Sequence, residues 1–293
     1  MECNTANKDQ NRKKRNMDLE QQRYKNFEVI VVDQSDDFNE GFYKTFGLNL
    51  KLFHQEKKLL WTARNFAARN SDSGFLLFFD DDSRVEPGWI EEHLKCLDYF
   101  DADISAGVSL ATVGQKISAG YYHFRWADQF DSGNAMVRRH VIQKIGLFDE
   151  QFNGQRMGDA EFGTRAFING FRSISNPKAA RVHLKVSSGG LREMGHWDGF
   201  RPKKWFAPKP VPSVIYFFKK YYPSHLWKNA VLIGIVLSNV PYRYKRYRYL
   251  LLLSIILSVV KSPLLYFQYR RSKSIAEKLL TVTDAGKNIS ILP

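Results

Sequence analysis

The chain has 293 residues, 44% of them hydrophobic and 14% aromatic, which suits one large α/β domain with an appendage and excludes a disordered chain. Its net charge of +14 is unevenly placed: residues 1–200 hold 27 Lys and Arg against 28 Asp and Glu, whereas residues 201–293 hold 17 against 2. Two distant cysteines, Cys3 and Cys96, exclude a disulfide framework, and the polar, basic opening predicts no secretory signal and so a reducing compartment.

Residues 1–23 are highly charged with no sustained apolar face, which predicts an exposed helix or a disordered segment. Asn26–Asp33 (NFEVIVVD) reads as a buried parallel strand with a loop at its carboxyl end, and Leu50–His54 as a weaker strand. Leu59–Ala68 has helical spacing, with Leu60, Ala63 and Ala67 on one face. Gly74–Phe79 is a third strand and runs straight into Asp80, Asp81 and Asp82. Pro87–Phe100 then starts on Pro and shows helical spacing at Trp89, Ile90, Leu94, Leu97 and Phe100. Further on, His140–Ile145 and Asp159–Asn169 read as helices. The second presents Phe162, Ala166 and Phe167 on one side and closes on Gly170, and Arg181–Leu184 is a short strand.

Strands interleaved with helices argue a doubly wound α/β sheet, in which ligands bind at the carboxyl ends of strands. Asp33 and Asp80–Asp82 stand at such ends. Three adjacent carboxylates there form a hard, oxygen-rich site suited to Mg2+ or Mn2+, and such an ion would bridge a nucleotide diphosphate. The plain alternative is a solvated acidic turn that caps the next helix.

The tail alternates apolar runs, Ala230–Val240 and Tyr249–Val260, with basic, tyrosine-rich stretches. Nucleic-acid arms are rarely interleaved in this way, so the tail predicts an anionic membrane surface and no nucleic acid. The first run is too short to span a bilayer, and the second is long enough only if Lys261 and Pro263 are included. A tilted or re-entrant pair and an in-plane anchor both remain open, beside a helical hairpin packed on the catalytic domain. Aromatic residues at the apolar ends with arginines between them point to the cytoplasmic face.

The blocks NFEVIVVDQSDD, TARNFAA and FLLFFDDDSRVEPGWI, followed by SGNAMVRRHVIQKIGLFDEQF, GDAEFGTRAFINGF and NPKAARVHL, resemble in that order the family-2-type glycosyltransferases of the GT-A fold. The resemblance spans about residues 24–190. It implies a GT-A-like domain over 24–200, with a nucleotide-sugar half at 24–110 and an acceptor half at 111–200, between the segment 1–23 and a membrane-associating region 201–293. It further implies a nucleotide-sugar donor and a glycan or lipid-linked acceptor at the cytoplasmic membrane face.

By the same resemblance, Asp33 would meet the base or ribose and Arg64 would lie near the donor. Asp80, Asp81 and Asp82 would form the donor acids, with Asp80, Asp82 and His183 on the metal. Ser132, Gly133 and Asn134 would lie near the acceptor. Asp159 would be the general base of an inverting transfer, with Glu161 as second choice. An inverting transfer needs a base at the acceptor hydroxyl and an electrophile at the leaving diphosphate, and no covalent nucleophile. Taken alone, Asp159 reads as a helix N-cap with Glu161 in the first turn. His183 alone reads as a packed or exposed histidine, and Trp126 and Trp197 suit either sugar stacking or a packing or surface role.

Two departures from the family pattern stand out. The strand that normally opens the domain, before the NFEVIVVD block, has no counterpart here, and Gly158 replaces the acid that often precedes the base. The first leaves a second function class open, a truncated or non-catalytic membrane-attached partner of an active homologue. Donor sugar, base, acceptor, linkage and oligomeric state are not encoded legibly.

Overall fold

Short β-branched and aromatic runs alternate with helices that bury one face, and the chain divides into two units. The computed structural model describes residues 13–111, 116–117, 119–127, 130–184, 198–241, 244, 247 and 249–284. One unit is built from Met1–Phe148 and Asp159–Ser187, the other from Asp149–Gly158 and Ser188–Ile289.

The first unit runs α1 (residues 13–20), β1 (Val29–Asp33), α2 (Glu40–Tyr43), β2 (Leu50–His54), α3 (Leu60–Arg69), β3 (Phe75–Phe79) and β4 (Ser83–Val85). It continues through α4 (Trp89–Tyr99), β5 (Ile104–Leu110), β6 (Arg125–Trp126), β7 (Asn134–Arg138), α5 (Arg139–Ile145), α6 (Gly158–Ile168) and β8 (Ser173–His183). β1 and β2 pair in parallel as a two-stranded sheet. The other strands form a six-stranded mixed sheet in the order β3-β7-β5-β8-β4, with β6 also on β8 and only β5 and β8 parallel. The expected α/β architecture is present, but its sheet is in two parts, and β1 and β3 are both edge strands among the described residues.

Three elements differ from their sequence reading. Residues 13–20 form a packed helix, because its anchors are polar and carry no hydrophobic periodicity. Asp18 accepts from Arg84 and from the backbone N–H of Val85, while Gln22 bonds Glu86 and Ile90. The strand read at Arg181–Leu184 is the end of the longer β8, whose earlier part contains Pro177, a residue that argues against a central strand. Pro177 lies where the β5–β8 register slips between Gly107 and Val108, a bulge that removes the need for its missing N–H. In α6, Phe162 and Ala166 are buried as expected, but Phe167 is 61% exposed. Gly170, with φ of +84°, ends that helix in the left-handed conformation that glycine adopts without strain.

Two buried assemblies hold the strand ends in place. Phe148 packs on Trp61, Phe78, Phe130 and Phe162, with ring centroids 4.6 to 5.8 Å away. Its backbone N–H and C=O are both bonded by the Asn65 side chain, at 2.9 Å each. The second assembly centres on Asn134, which accepts from Trp89 Nε1 and His93 and donates to the carbonyls of Val108 and Ala179. Burial drives the His93 pKa down to about 4 despite its bonds to Asn134 and Ser105, so this imidazole is neutral and structural.

The second unit holds α7 (Pro212–Tyr221), α8 (Ser224–Leu237), α9 (Tyr249–Val260) and α10 (Ser262–Asp284). Within it, α7 buries Val214, Ile215, Tyr216 and Phe217, and buried Asp149 accepts from Tyr216 and Lys220. α9 is apolar on every side, yet Ser254 is its one buried residue, while Leu252, Ile256 and Val260 are exposed. No single described helix is long and apolar enough to cross a membrane, and α9 and α10 together form an apolar pair bent by 80°.

Phe148→Ala should cost about 3–5 kcal/mol of stability in urea denaturation, the range for emptying a filled aromatic site. A loss under about 1 kcal/mol would show that the cluster does not hold this unit together.

Candidate active site

The carboxyl end of β3 delivers Asp80 to a position between two guanidinium groups. Arg64, from α3, donates to Oδ1 at 2.6 Å, and Arg181, from β8, donates to Oδ2 at 2.6 Å. Arg181 is 4% exposed and also bonds Ser83, Ser109 and both oxygens of Asp131, so one side chain ties β4, β5 and the loop before β7 to β3. Burial favours the neutral form of Asp80, but Arg64 and Arg181 outweigh it and hold the carboxyl below the usual range.

Asp82 lies at the start of the turn into β4, and its carboxylate is 3.0 Å from His183 Nε2. The backbones reinforce the pairing, because Ser83 faces His183 in the β4–β8 register and Leu184 donates to the Asp82 carbonyl. Asp80, Asp82 and His183 can each present a ligand atom within 4.8 Å of the other two. That spacing is close to the roughly 4.2 Å that separates opposite ligands of a small ion bound at about 2.1 Å. Two carboxylates and an imidazole suit Mn2+ or Mg2+, so the donor set fits the expected cofactor. Asp81 is exposed at the turn.

The residues on the other side meet at one turn. Ser132 donates its N–H to Asp159 Oδ1 at 2.9 Å, and its hydroxyl accepts from Arg64. Asp131 shapes this turn by accepting from Gly133 N–H at 3.0 Å. Any Cβ at Gly133 would overlap Asp80 and the Arg181 guanidinium, so only glycine lets the turn cross that ion pair. Burial, and then the charge of Asp131, push the Asp159 pKa up to about 6, against the opposing pull of Arg64 and Ser132. A carboxylate poised there takes a proton near neutrality far better than an ordinary aspartate.

The other expected residues are distributed as follows. Asp33 is buried at the end of β1 and accepts from Ser35 and Tyr43. Glu161 is one per cent exposed, and both its oxygens accept from Arg165, which also caps the carbonyls of Ile145, Gly146 and Leu147. Of the two candidate bases, Asp159 bonds the shared turn, and Glu161 is held in a buried ion pair with Arg165. Asn134 is likewise fully buried, inside its own hydrogen-bond network. Trp126 is 55% exposed on β6, and Trp197 lies outside the described residues. Arg181 and Asp131 went unnoticed in the sequence. The available signal for Arg181 was strand parity, since residues 181 and 183 project from the same face of β8.

Comparison with known proteins agrees with this geometry. Residues 15–154 match the family model described as Glycosyl transferase family 2. The chain is 25% identical over 214 residues to glycosyltransferase GlyA of Streptococcus pneumoniae serotype 4, covering 72% of this chain and 28% of that relative's length. Among solved structures, S. aureus TarS 1–349 with UDP-GlcNAc superposes with a TM-score of 0.58 at 16% identity, over 89% of this chain and 78% of that one. The same protein with UDP gives 0.55 at 17% identity, over 96% and 89%. GalNAc-T7 with UDP, GalNAc and Mn2+ gives 0.54 at 13% identity, over 70% and 44%. These likenesses establish a GT-A fold.

The two acids of α6 should respond oppositely to neutralisation. Glu161→Gln breaks a buried ion pair and should cost about 3–5 kcal/mol. Asp159, with its folded pKa raised, contributes stability that is full below about pH 4 and lost as pH rises through about 6. Asp159→Asn should therefore be more stable than the parent by roughly 1–2 kcal/mol at about pH 8, with the gap closing toward pH 4. Denaturant midpoints at both pH values measure this, and a destabilised Asp159→Asn at high pH would contradict the assignment.

Proposed function

From the match of residues 15–154 to the model of Glycosyl transferase family 2, we propose that the chain is a metal-dependent, inverting glycosyltransferase of that family. It moves a sugar from a nucleotide-sugar donor to a glycan or lipid-linked acceptor at the cytoplasmic membrane face. The observation that carries the reading is the Ser132 turn, which touches Asp159 on one side and the Arg64–Asp80 pair on the other. A base and a cation-binding acid cluster are thereby held on one short stretch of backbone.

In this reading Asp159 accepts the proton of the acceptor hydroxyl as that oxygen attacks the anomeric carbon and the bond to the diphosphate breaks. Arg64 stands on the leaving-group side, and Asp33 holds the base or ribose. Asp80, Asp82 and His183 are the residues that would hold Mn2+ or Mg2+, which would supply Lewis-acid stabilisation of the departing charge. UDP is the first nucleotide to try, because the TarS and GalNAc-T7 structures carry it. In calorimetry on the detergent-solubilised chain, UDP should bind with Mn2+ and bind poorly without it, and Asp82→Asn should abolish the difference. GDP and dTDP serve as competing donors' bases. If a folded chain binds none of the three, the non-catalytic reading, a membrane-attached partner protein, takes its place.

The membrane-face location is supported by the exposed apolar surface of α9 together with the basic excess of residues 201–293. The chain should sediment with vesicles containing phosphatidylglycerol more than with phosphatidylcholine alone, and Leu252→Asp with Ile256→Asp should release it. Retention in the supernatant with both vesicle types would remove the membrane from the proposal.

A further inference from the structure

The second unit gathers positive charge that its own groups do not balance. Lys209 is 9% exposed, and among the described residues nothing accepts a hydrogen bond from its Nζ. Arg201 stands beside it. The terminal nitrogens of Arg201 bond Asp198 and the carbonyls of Leu237 and Val240, but its buried Nε has no partner among the described residues. Lys261, between α9 and α10, brings a third positive charge to the same place. Burial, and then the charges of Lys261 and Arg201, push the Lys209 pKa down to about 8 against the opposing pull of Asp198. That carboxylate is already engaged by Arg201 and by the Phe200 N–H. Buried donors are normally paired, so two unpaired ones on neighbouring cations mark a place for an anion.

The surroundings identify which anion. Trp205 and Phe206, both exposed, lie on the loop before Lys209, and Lys261 Nζ is 5.4 Å from the centre of the Trp205 ring. Gln268 donates to the Trp205 carbonyl and accepts from the Lys209 N–H, and Arg271 donates to the Phe206 carbonyl, so the loop that presents both rings is fastened to α10. Along α9, positions 250, 253, 257 and 261 fall on one stripe. Leu250, Leu253 and Leu257 line a groove of about 580 Å³ with Tyr244 and Tyr247, and Lys261 stands at the end of that stripe. Inorganic phosphate has no use for such apolar surface. A phospholipid does, because it joins a phosphate to acyl chains and places aromatic rings at its headgroup level.

We propose that Arg201, Lys209 and Lys261 form a site for the phosphate of an anionic phospholipid, with Trp205 and Phe206 at the headgroup level and an acyl chain in the groove beside Leu253 and Leu257. The inference rests on the membrane-face reading above and deepens it, from a diffuse attraction of basic residues to one built site. An anion placed there supplies the acceptor that Lys209 Nζ and Arg201 Nε lack, and it favours the charged form of Lys209.

The test is binding of the full chain to vesicles of phosphatidylcholine with phosphatidylglycerol. Lys209→Met and Lys261→Met should each weaken binding on the order of tenfold or more, whereas Lys278→Met, at an exposed position far along α10, should lose no more than the roughly fivefold that one lysine near an anionic surface is worth. Equal losses in all three variants mean a diffuse attraction and overturn the site. Calorimetry at about pH 8, in buffers of different ionisation heat, gives a second readout. Binding should take up protons there, because Lys209 is partly neutral when free and charged when bound, and uptake should vanish near pH 6 and in Lys209→Met. Proton uptake that persists in Lys209→Met also overturns the site. Inorganic phosphate should release the chain no better than chloride at equal ionic strength; selective release by phosphate would make this a free-phosphate site and refute the lipid assignment. In each of these cases the parent still binds vesicles and the membrane-face reading stands. A parent that binds neither these vesicles nor phosphatidylcholine alone removes that reading, and the inference with it.

Discussion

The ion pair between Arg181 and Asp80 is the contact around which the first unit's functional end is organised. Four separate backbone segments reach it: β3 through Asp80, β4 through Ser83, β5 through Ser109, and the loop before β7 through Asp131. Asp80 and Asp131 converge on this guanidinium, and two carboxylates drawn out of water side by side carry a desolvation and repulsion cost that a counter-charge offsets. Gly133 records the constraint from the other side, because the turn that bears the Asp159 contact passes directly over the pair. With Arg181 in place Asp80 and Asp131 are held, Asp131 in turn holds the Gly133 N–H, and Asp159 accepts from the neighbouring Ser132 N–H.

Charge in this site is graded by environment. Arg64 and Arg181 hold Asp80 ionised, while Asp159, buried and beside Asp131, is pushed up to about 6. Two aspartates of the same chemistry are thus held differently, one kept ionised by guanidinium groups and one pushed toward neutrality by burial and a neighbouring carboxylate. Polar groups that do not face the reaction are closed off elsewhere. Glu161 is spent on Arg165, His93 is kept neutral by burial, and Asn134 fills all its bonding positions inside the core. The second unit follows a different logic, with α7 built around a buried core and α9 presenting leucine and isoleucine outward. An apolar helix exposed on this scale calls for an apolar environment.

Much of the architecture was legible because it rests on local pattern. The runs VIVVD and FLLFF have the length and composition of buried strands, and α4 and α6 carry helical spacing. Where local pattern misleads, the reason is a tertiary one. Pro177 hid most of β8 because a proline in a central strand is tolerated only at a bulge, and the bulge exists only once β5 is alongside. Residues 13–20 looked solvated because their anchors are polar side chains whose partners, Arg84, Val85 and Glu86, lie more than sixty residues away.

By itself, the sequence determined the α/β class and the family resemblance, and it marked Asp80, Asp82, Asp159 and His183 as candidates, because strand-end acids and ordered motif blocks are written contiguously. It also showed a near-neutral stretch followed by a basic tail with apolar runs, since composition needs no folding to be read. Only the tertiary structure showed that Asp159 bonds the Ser132 turn while Glu161 pairs with Arg165, and that Asn134 is buried in the core. It alone revealed Arg181 and Asp131, residues that no local motif marks. Their meaning arises from segments up to 101 residues apart meeting at one buried ion pair, and a contact of that separation is set by packing rather than by neighbouring residues.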